Sequence, residues 1–347
     1  MKRIATLDGW RGIAISMVLV DHARFSMHID PSASMSTGPH GVTLFFVLSG
    51  FLITSRLAAE KQSTGSIDLR RFYVRRFFRL MPAAWTFLWF ALIYTVFSPG
   101  ALVGLFNIVA ALLFFRNYSY LLAPGPALTG HFWTLSIEEQ FYIVWPSILV
   151  LTGSRMARWV ALSGAVLIGI YRFAHWSSLA SLSFEPAQAT QLHADSLLLG
   201  CAAALFLPRI RPYLRDWMVI PLLIALVPCI ANYHLLIPLR ESIILALLLA
   251  ITSSSESKAF AILNWKPVAF LGTISYSLYL WQQPFTSYGH IGPRHLLFAA
   301  VALPCFALGS YYLIEKPFID RPYRKCLDVV PATGTVASGV DSPLSGE

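Results

Sequence analysis

The chain has 347 residues, of which 56% are apolar and only 12% are charged. A soluble domain carries roughly a quarter charged residues, so this composition excludes a soluble enzyme and a disordered chain. The net charge of +9 would suit nucleic acid, but basic residues also gather at the cytoplasmic ends of membrane spans.

A helix needs about 20 mostly apolar residues to cross the hydrocarbon core. Such runs fall near 9–28, 41–58, 82–99, 132–151, 157–174, 192–208, 216–233, 236–252, 267–285 and 295–314. Lys2 and Arg3 ahead of the first run imitate a signal peptide. Asp8 and Arg11 interrupt that run, however, and no small-x-small cleavage site follows, so it reads as a retained span. A further run, 101–116, is apolar but short. With the N-terminus in the cytoplasm and 101–116 omitted, 21 of the 26 basic residues lie on the inner side. Counting 101–116 as a span would carry the later basic clusters outside. The positive-inside rule therefore predicts an all-α polytopic membrane protein with about ten transmembrane helices and both termini cytoplasmic. Segment 101–116 then becomes an outer-face or re-entrant element. The membrane domain is expected over 1–326. Residues 327–347, rich in Ser, Gly, Thr and Pro, read as a disordered tail.

Ionisable residues inside spans are costly and functional by default. The first span holds Arg11, Asp21 and His22. Arg11 and His22 are three helical turns apart, on one face and about 16 Å from each other. Asp21 points about 100° away from His22 and is badly placed to orient it. A histidine suits proton abstraction from a hydroxyl near neutral pH.

Residues 68–80, DLRRFYVRRFFRL, set arginines among aromatics, and Pro82 is expected in the first turn of the following span. Two readings stand: an interfacial helix among anionic head groups, which composition favours, or a site for a phosphate-bearing ligand. The fourth span opens with His131, Phe132 and Trp133, followed by Ser136, Glu138 and Glu139. Two adjacent carboxylates cannot share a face, so one is expected at the interface and the other inward, within reach of His22. Trp133, Tyr142, Trp145, Tyr276, Tyr279 and Trp281 are mostly expected in the aromatic belt. His193, Asp195 and Glu315 are expected to cap helices or sit at the interface.

Cys201, Cys229, Cys305 and Cys326 lack paired or metal-type spacing. The histidines are scattered, so no metal site is expected, and topology accounts for the basic excess without nucleic acid. There is no P-loop, GxGxxG or HExxH, and no GxSxG. No internal repeat of the transporter kind is evident. The polar residues alone still admit a proton-coupled transporter of a lipid-linked or anionic solute, or a structural subunit of a glycan-assembly complex.

Five pieces in order resemble the acyltransferase-3 superfamily of bacterial integral-membrane O-acyltransferases. LDGWRGIAISMVLVDHA is similar to its first helix, with Arg11 and His22 at the family's Arg-x10-His spacing. GVTLFFVLSGFLIT carries the Ser-Gly-Phe-Leu signature at Ser49 to Leu52, and RRFYVRRFFRLMP resembles the Arg-x-x-Arg segment at Arg76 and Arg79. HFWTLSIEEQFYIVWP resembles the Trp-Ser-Leu-Ser-x-Glu stretch, with Thr134 in place of serine. ISYSLYLWQQP and LIEKPF resemble the closing signatures, but Gln282 follows Trp281 where members often have histidine.

The resemblance implies transfer of an acyl group, commonly acetyl, from cytosolic acyl-CoA. The acceptor would be a hydroxyl of a cell-surface glycan, a lipid-linked saccharide or a small glycosylated metabolite. It implies a bacterial inner-membrane location, contact with membrane lipids and no permanently bound cofactor. Residue by residue, it makes His22 the catalytic base or acyl carrier, Arg11 its companion, and Glu138 an essential polar group. Arg76 and Arg79 would face the donor.

Overall fold

The computed structural model describes residues 5–27, 36–97, 101–121, 128–175, 188–231, 237–255, 260–286 and 293–320. The expected tail at 327–347 lies outside these described residues, as do Lys2 and Arg3. Helices α1 (Ala5–Ser26), α2 (Gly38–Thr64), α3 (Leu69–Val96), α4 (Ala101–Leu112) and α5 (Phe132–Ala174) come first. They are followed by α6 (Ala194–Ile210), α7 (Val219–Ala231), α8 (Ile237–Ser254), α9 (Lys266–Thr273), α10 (Ser275–Trp281) and α11 (Gln283–Thr286). Helix α12 (Pro293–Gly309) runs through a π turn at Ser310–Glu315 into α13 (Lys316–Asp320). No strand occurs among the described residues.

Among the described residues four helices are long and apolar enough to cross a membrane: α2, α3, α5 and the run Leu297–Asp320. Segments Ala194–Tyr213 and Asp216–Cys229 make a fifth if they form one span broken by a 119° bend. The exterior is correspondingly apolar. Leu151 is 84% exposed and Phe97 85%, a surface that suits lipid and not water. Helix α4 has twelve residues, a rise of about 18 Å, too short to cross, as its sequence implied.

Two elements differ from expectation. Pro82 does not open a span: α3 starts at Leu69, where the Asp68 carboxylate caps it by accepting from the Arg71 N–H at 2.9 Å. The arginine-rich segment and the apolar run are therefore one helix, and Pro82 lies within it. Runs 132–151 and 157–174 are two helices, as the sequence implies, which join without a loop and are labelled together as α5, with the break at Gly153, φ 69° and ψ 164°. That backbone region is essentially restricted to glycine, and it sits beside Lys61 near the end of α2. The run 267–285 divides into the short helices α9, α10 and α11.

The bundle closes through small residues. Helices α2 and α6 cross where a Cβ on Gly50 would overlap the Leu197 carbonyl, and one on Gly200 would overlap that of Val47. Such contact lets two backbones meet, the usual device where lipid supplies no hydrophobic drive. Around it pack Val47, Phe51, Leu248 and Leu249, while Phe87, Phe132, Leu278 and Leu280 form a second core between α3, α5 and α10.

Gly153→Val should lower stability by about 1–3 kcal/mol. Thermal unfolding of the detergent-solubilised protein would read it, and an unchanged midpoint would show that the break does not need glycine.

Candidate active site

A cavity of about 1110 Å³ enters the bundle at the end where α2 stops and α3 begins. Its mouth carries Glu60, Ser63, Arg71 and Arg75, and deeper in come Arg11, Arg56, Arg76, Arg79, Ser49 and Glu138. Thr134 and Tyr279 stand on its wall as well. One turn of α3 separates Arg75 and Arg76 from Arg79, and Arg11 reaches the same space from the second turn of α1. The helical period therefore gathers the cluster from three elements.

The two carboxylates of α5 divide their work. Glu138 accepts from the Ser49 hydroxyl at 2.8 Å. Glu139 takes a two-pronged ion pair from Arg76, with Nε at 3.2 Å and Nη2 at 2.5 Å. The same guanidinium lies 3.3 Å over the centre of the Tyr142 ring. At the mouth Arg75 approaches Glu60 at 3.4 Å. Arg11, Arg56 and Arg79 have no carboxylate within ion-pair distance among the described residues, and Arg79 is repelled by both of the others.

At Tyr279 the polar path changes character. The Thr134 and Tyr279 hydroxyls are 2.6 Å apart, and Tyr279 also donates to the His131 carbonyl at 2.9 Å. His131 lies within electrostatic reach of His22. His22 itself is not on the cavity wall. Its Nδ1 meets the Thr286 hydroxyl at 3.5 Å, and that hydroxyl donates to the Gln282 carbonyl at 3.0 Å. Gln282 is fully buried.

The structure thus brings Arg11, Glu138, Arg76 and Arg79 together and sets His22 apart, beyond Tyr279. Glu138 turns to Ser49 and not to His22. Asp21 accepts from Ser36 and from the Thr37 N–H at the start of α2, so it serves the helix connection, in line with its angle to His22. Sequence reasoning did not single out Arg56, the Glu139 pair or the Tyr279 hydroxyl. The available signal for Tyr142 was its position one turn after Glu138 and Glu139.

Several polar and aromatic residues lie deeper than expected. Asp195 is fully buried and paired with Arg172, and Glu315 is buried and accepts from Ser277. Burial overturns an interface position for both, whereas Asp195 keeps a capping one in the first turn of α6, where backbone N–H groups donate to it. His193 packs its ring against Phe46 and Trp133. Trp145, Tyr142, Tyr279 and Trp281 are buried and not in a belt. Trp145 donates to Thr54 at 2.8 Å, and the exposed tryptophans are instead Trp85, Trp89, Trp159, Trp217 and Trp265.

Residues 4–315 match the family model described as an acyltransferase domain, Acyl_transf_3. The chain belongs to the acyltransferase-3 family. It is 29% identical to YrhL of Bacillus subtilis over 93% of its own length and 56% of that protein. It is 29% identical to the peptidoglycan O-acetyltransferase OatA of Listeria monocytogenes, over 82% of this chain and 49% of the relative. The O-acetyltransferase OatA of Staphylococcus aureus is 26% identical over 92% and 57%. The chain spans about half the length of these curated relatives. No solved structure matches it.

The Arg76–Glu139 pair is largely shielded from solvent, so losing one partner strands the other charge. In a double-mutant cycle with Arg76→Gln and Glu139→Gln, the coupling should be about 1–3 kcal/mol. Additive losses of stability would mean that the pair does not hold α3 to α5.

Proposed function

We propose that this chain is a membrane O-acetyltransferase that moves an acetyl group from acetyl-CoA to a hydroxyl of a bacterial cell-surface glycan. The observation that carries the reading is the arginine-walled cavity, which enters from the basic end of the bundle and leads toward Tyr279, with His22 beyond. The named acceptor of the Listeria relative makes peptidoglycan the first glycan to try.

The proposal includes an orientation. Ten crossings with both termini in the cytoplasm would put the mouth of the cavity in the cytosol of a bacterial inner membrane, where coenzyme A is available. The arginines then meet the phosphates of the donor, and its extended pantetheine arm threads inward. The acceptor comes from the opposite side.

His22 is the base. Because the Thr286 hydroxyl gives its proton to the Gln282 carbonyl, it offers His22 Nδ1 a lone pair. That favours the tautomer with the proton on Nδ1 and leaves Nε2 basic. Nε2 takes the proton of the acceptor hydroxyl as its oxygen attacks the thioester carbonyl. The C–S bond then breaks, and coenzyme A leaves as the thiol with the proton that His22 took from the hydroxyl, which restores the neutral imidazole. Arg11, three turns of α1 away from His22, lies on the donor side of the cavity, and Glu138, held by Ser49, fixes the polar wall beside it. Arg76 and Arg79 sit on the donor side.

Transfer of radiolabelled acetyl from acetyl-CoA to a peptidoglycan fragment, measured with purified protein, tests this. His22→Gln should lower transfer at least 100-fold. Thr286→Val should lower kcat while leaving KM for the donor within about twofold, and Thr286→Ser should restore it. Full activity in His22→Gln would sink the assignment.

A further inference from the structure

Resting on the reading of coenzyme A as donor, we infer that Arg11, Arg56 and Arg79 form the diphosphate-binding triad of the cavity, and that Arg76 is a positioning residue that does not hold phosphate.

The division follows from what each guanidinium already touches. Arg76 spends Nε and Nη2 on both oxygens of Glu139 and lays its face on Tyr142. A guanidinium has five N–H donors in one rigid fork, and here the Nε and Nη2 edge is taken by a carboxylate that also neutralises the charge. A phosphate claiming that edge would have to break the pair inside a largely shielded site.

Arg11, Arg56 and Arg79 stand in the opposite condition. All three line the cavity, from α1, α2 and α3. None has a carboxylate within ion-pair distance among the described residues. Arg56 is repelled by Arg11, and Arg79 by Arg11, Arg56 and Arg76. Holding like charges together costs energy that Asp8 near Arg56 and Glu315 near Arg79 offset only in part, so a polyanion entering the cavity would relieve the rest. On the cavity wall six arginines, Arg11, Arg56, Arg71, Arg75, Arg76 and Arg79, face two glutamates, Glu60 and Glu138. Glu60 lies against Arg75 and Glu138 takes the Ser49 hydroxyl. What remains is a triad donated by three different helices, a geometry suited to the adjacent phosphates of a diphosphate.

Arg76 then acts through α5. Its pair with Glu139 and its stacking on Tyr142 set the rotation of the helix turn that carries Glu138.

Isothermal titration of the full-length protein in nanodiscs with coenzyme A and with inorganic pyrophosphate separates the roles. Arg56→Gln and Arg79→Gln should each raise the Kd for both probes about tenfold or more. Arg76→Gln should leave both Kd values within about threefold while lowering kcat for acetyl transfer, and Arg76→Lys should not restore kcat, because an ammonium cannot fork to Glu139 and stack on Tyr142. Arg56→Lys, which keeps the charge, should recover part of the affinity and guards against a folding artefact. Weakened binding in Arg76→Gln with unchanged binding in Arg56→Gln would overturn the division. Wild-type protein that binds pyrophosphate through Arg56 and Arg79 but not coenzyme A would leave the triad standing and remove the donor reading. Binding of neither probe would remove both.

Discussion

A guanidinium inside a lipid-wrapped bundle must be answered by an anion, a dipole or water, because the hydrocarbon around it answers nothing. The architecture follows from that constraint. Arg76 is answered by Glu139, and the answer ties the basic end of α3 to the first turns of α5. Arg172 is answered by Asp195, which joins the far part of α5 to the start of α6. His40 and Glu241, both about 1% exposed and 3.0 Å apart, join α2 to α8. Each contact spans two helices, so each fixes a helix rotation, and the two arginine pairs neutralise a charge as well. In an apolar surround a helix that rotated away would leave a bare ion, a penalty larger than the attraction itself.

Packing without charge does the rest. The crossing of α2 and α6 at Gly50 and Gly200 brings two backbones together. That is why α2, whose wall includes Ser49 and Arg56, is held in register with the core and not splayed into lipid. Ser49 is the residue before Gly50, so the position that lets the helices touch also presents the hydroxyl that Glu138 accepts. Fold and site share one turn of one helix.

How much of this could be read from the chain depends on whether the deciding contact is local. The Arg11–His22 spacing and the apolar runs are properties of single helices, and α1, α2, α6 and α8 lie close to where the runs fall. The two carboxylates of α5 were visible as a pair, but their division was not. One partner, Ser49, is 89 positions away, and the other, Arg76, is 63. No periodicity carries that information. Pro82 was misplaced because proline favours a first turn, whereas Asp68 offers a real cap fourteen residues earlier. The aromatic residues were assigned to a belt on amphipathic character alone. A buried indole such as Trp145 satisfies its N–H with Thr54, and nothing in a one-dimensional pattern distinguishes that partner from interfacial water.

Partnership therefore separates two kinds of charge that composition treats alike. Arg76, Arg172 and His40 have fixed carboxylate partners and belong to the architecture. Arg11, Arg56 and Arg79 converge on a cavity without such partners among the described residues. Three helices bring these three charges to one space. The cavity continues from them to Tyr279, whose hydroxyl stands between that space and the side of the bundle holding His131 and His22. The cavity arginines and His22 thus lie in separate parts of the bundle, with Thr134, Tyr279 and His131 between them.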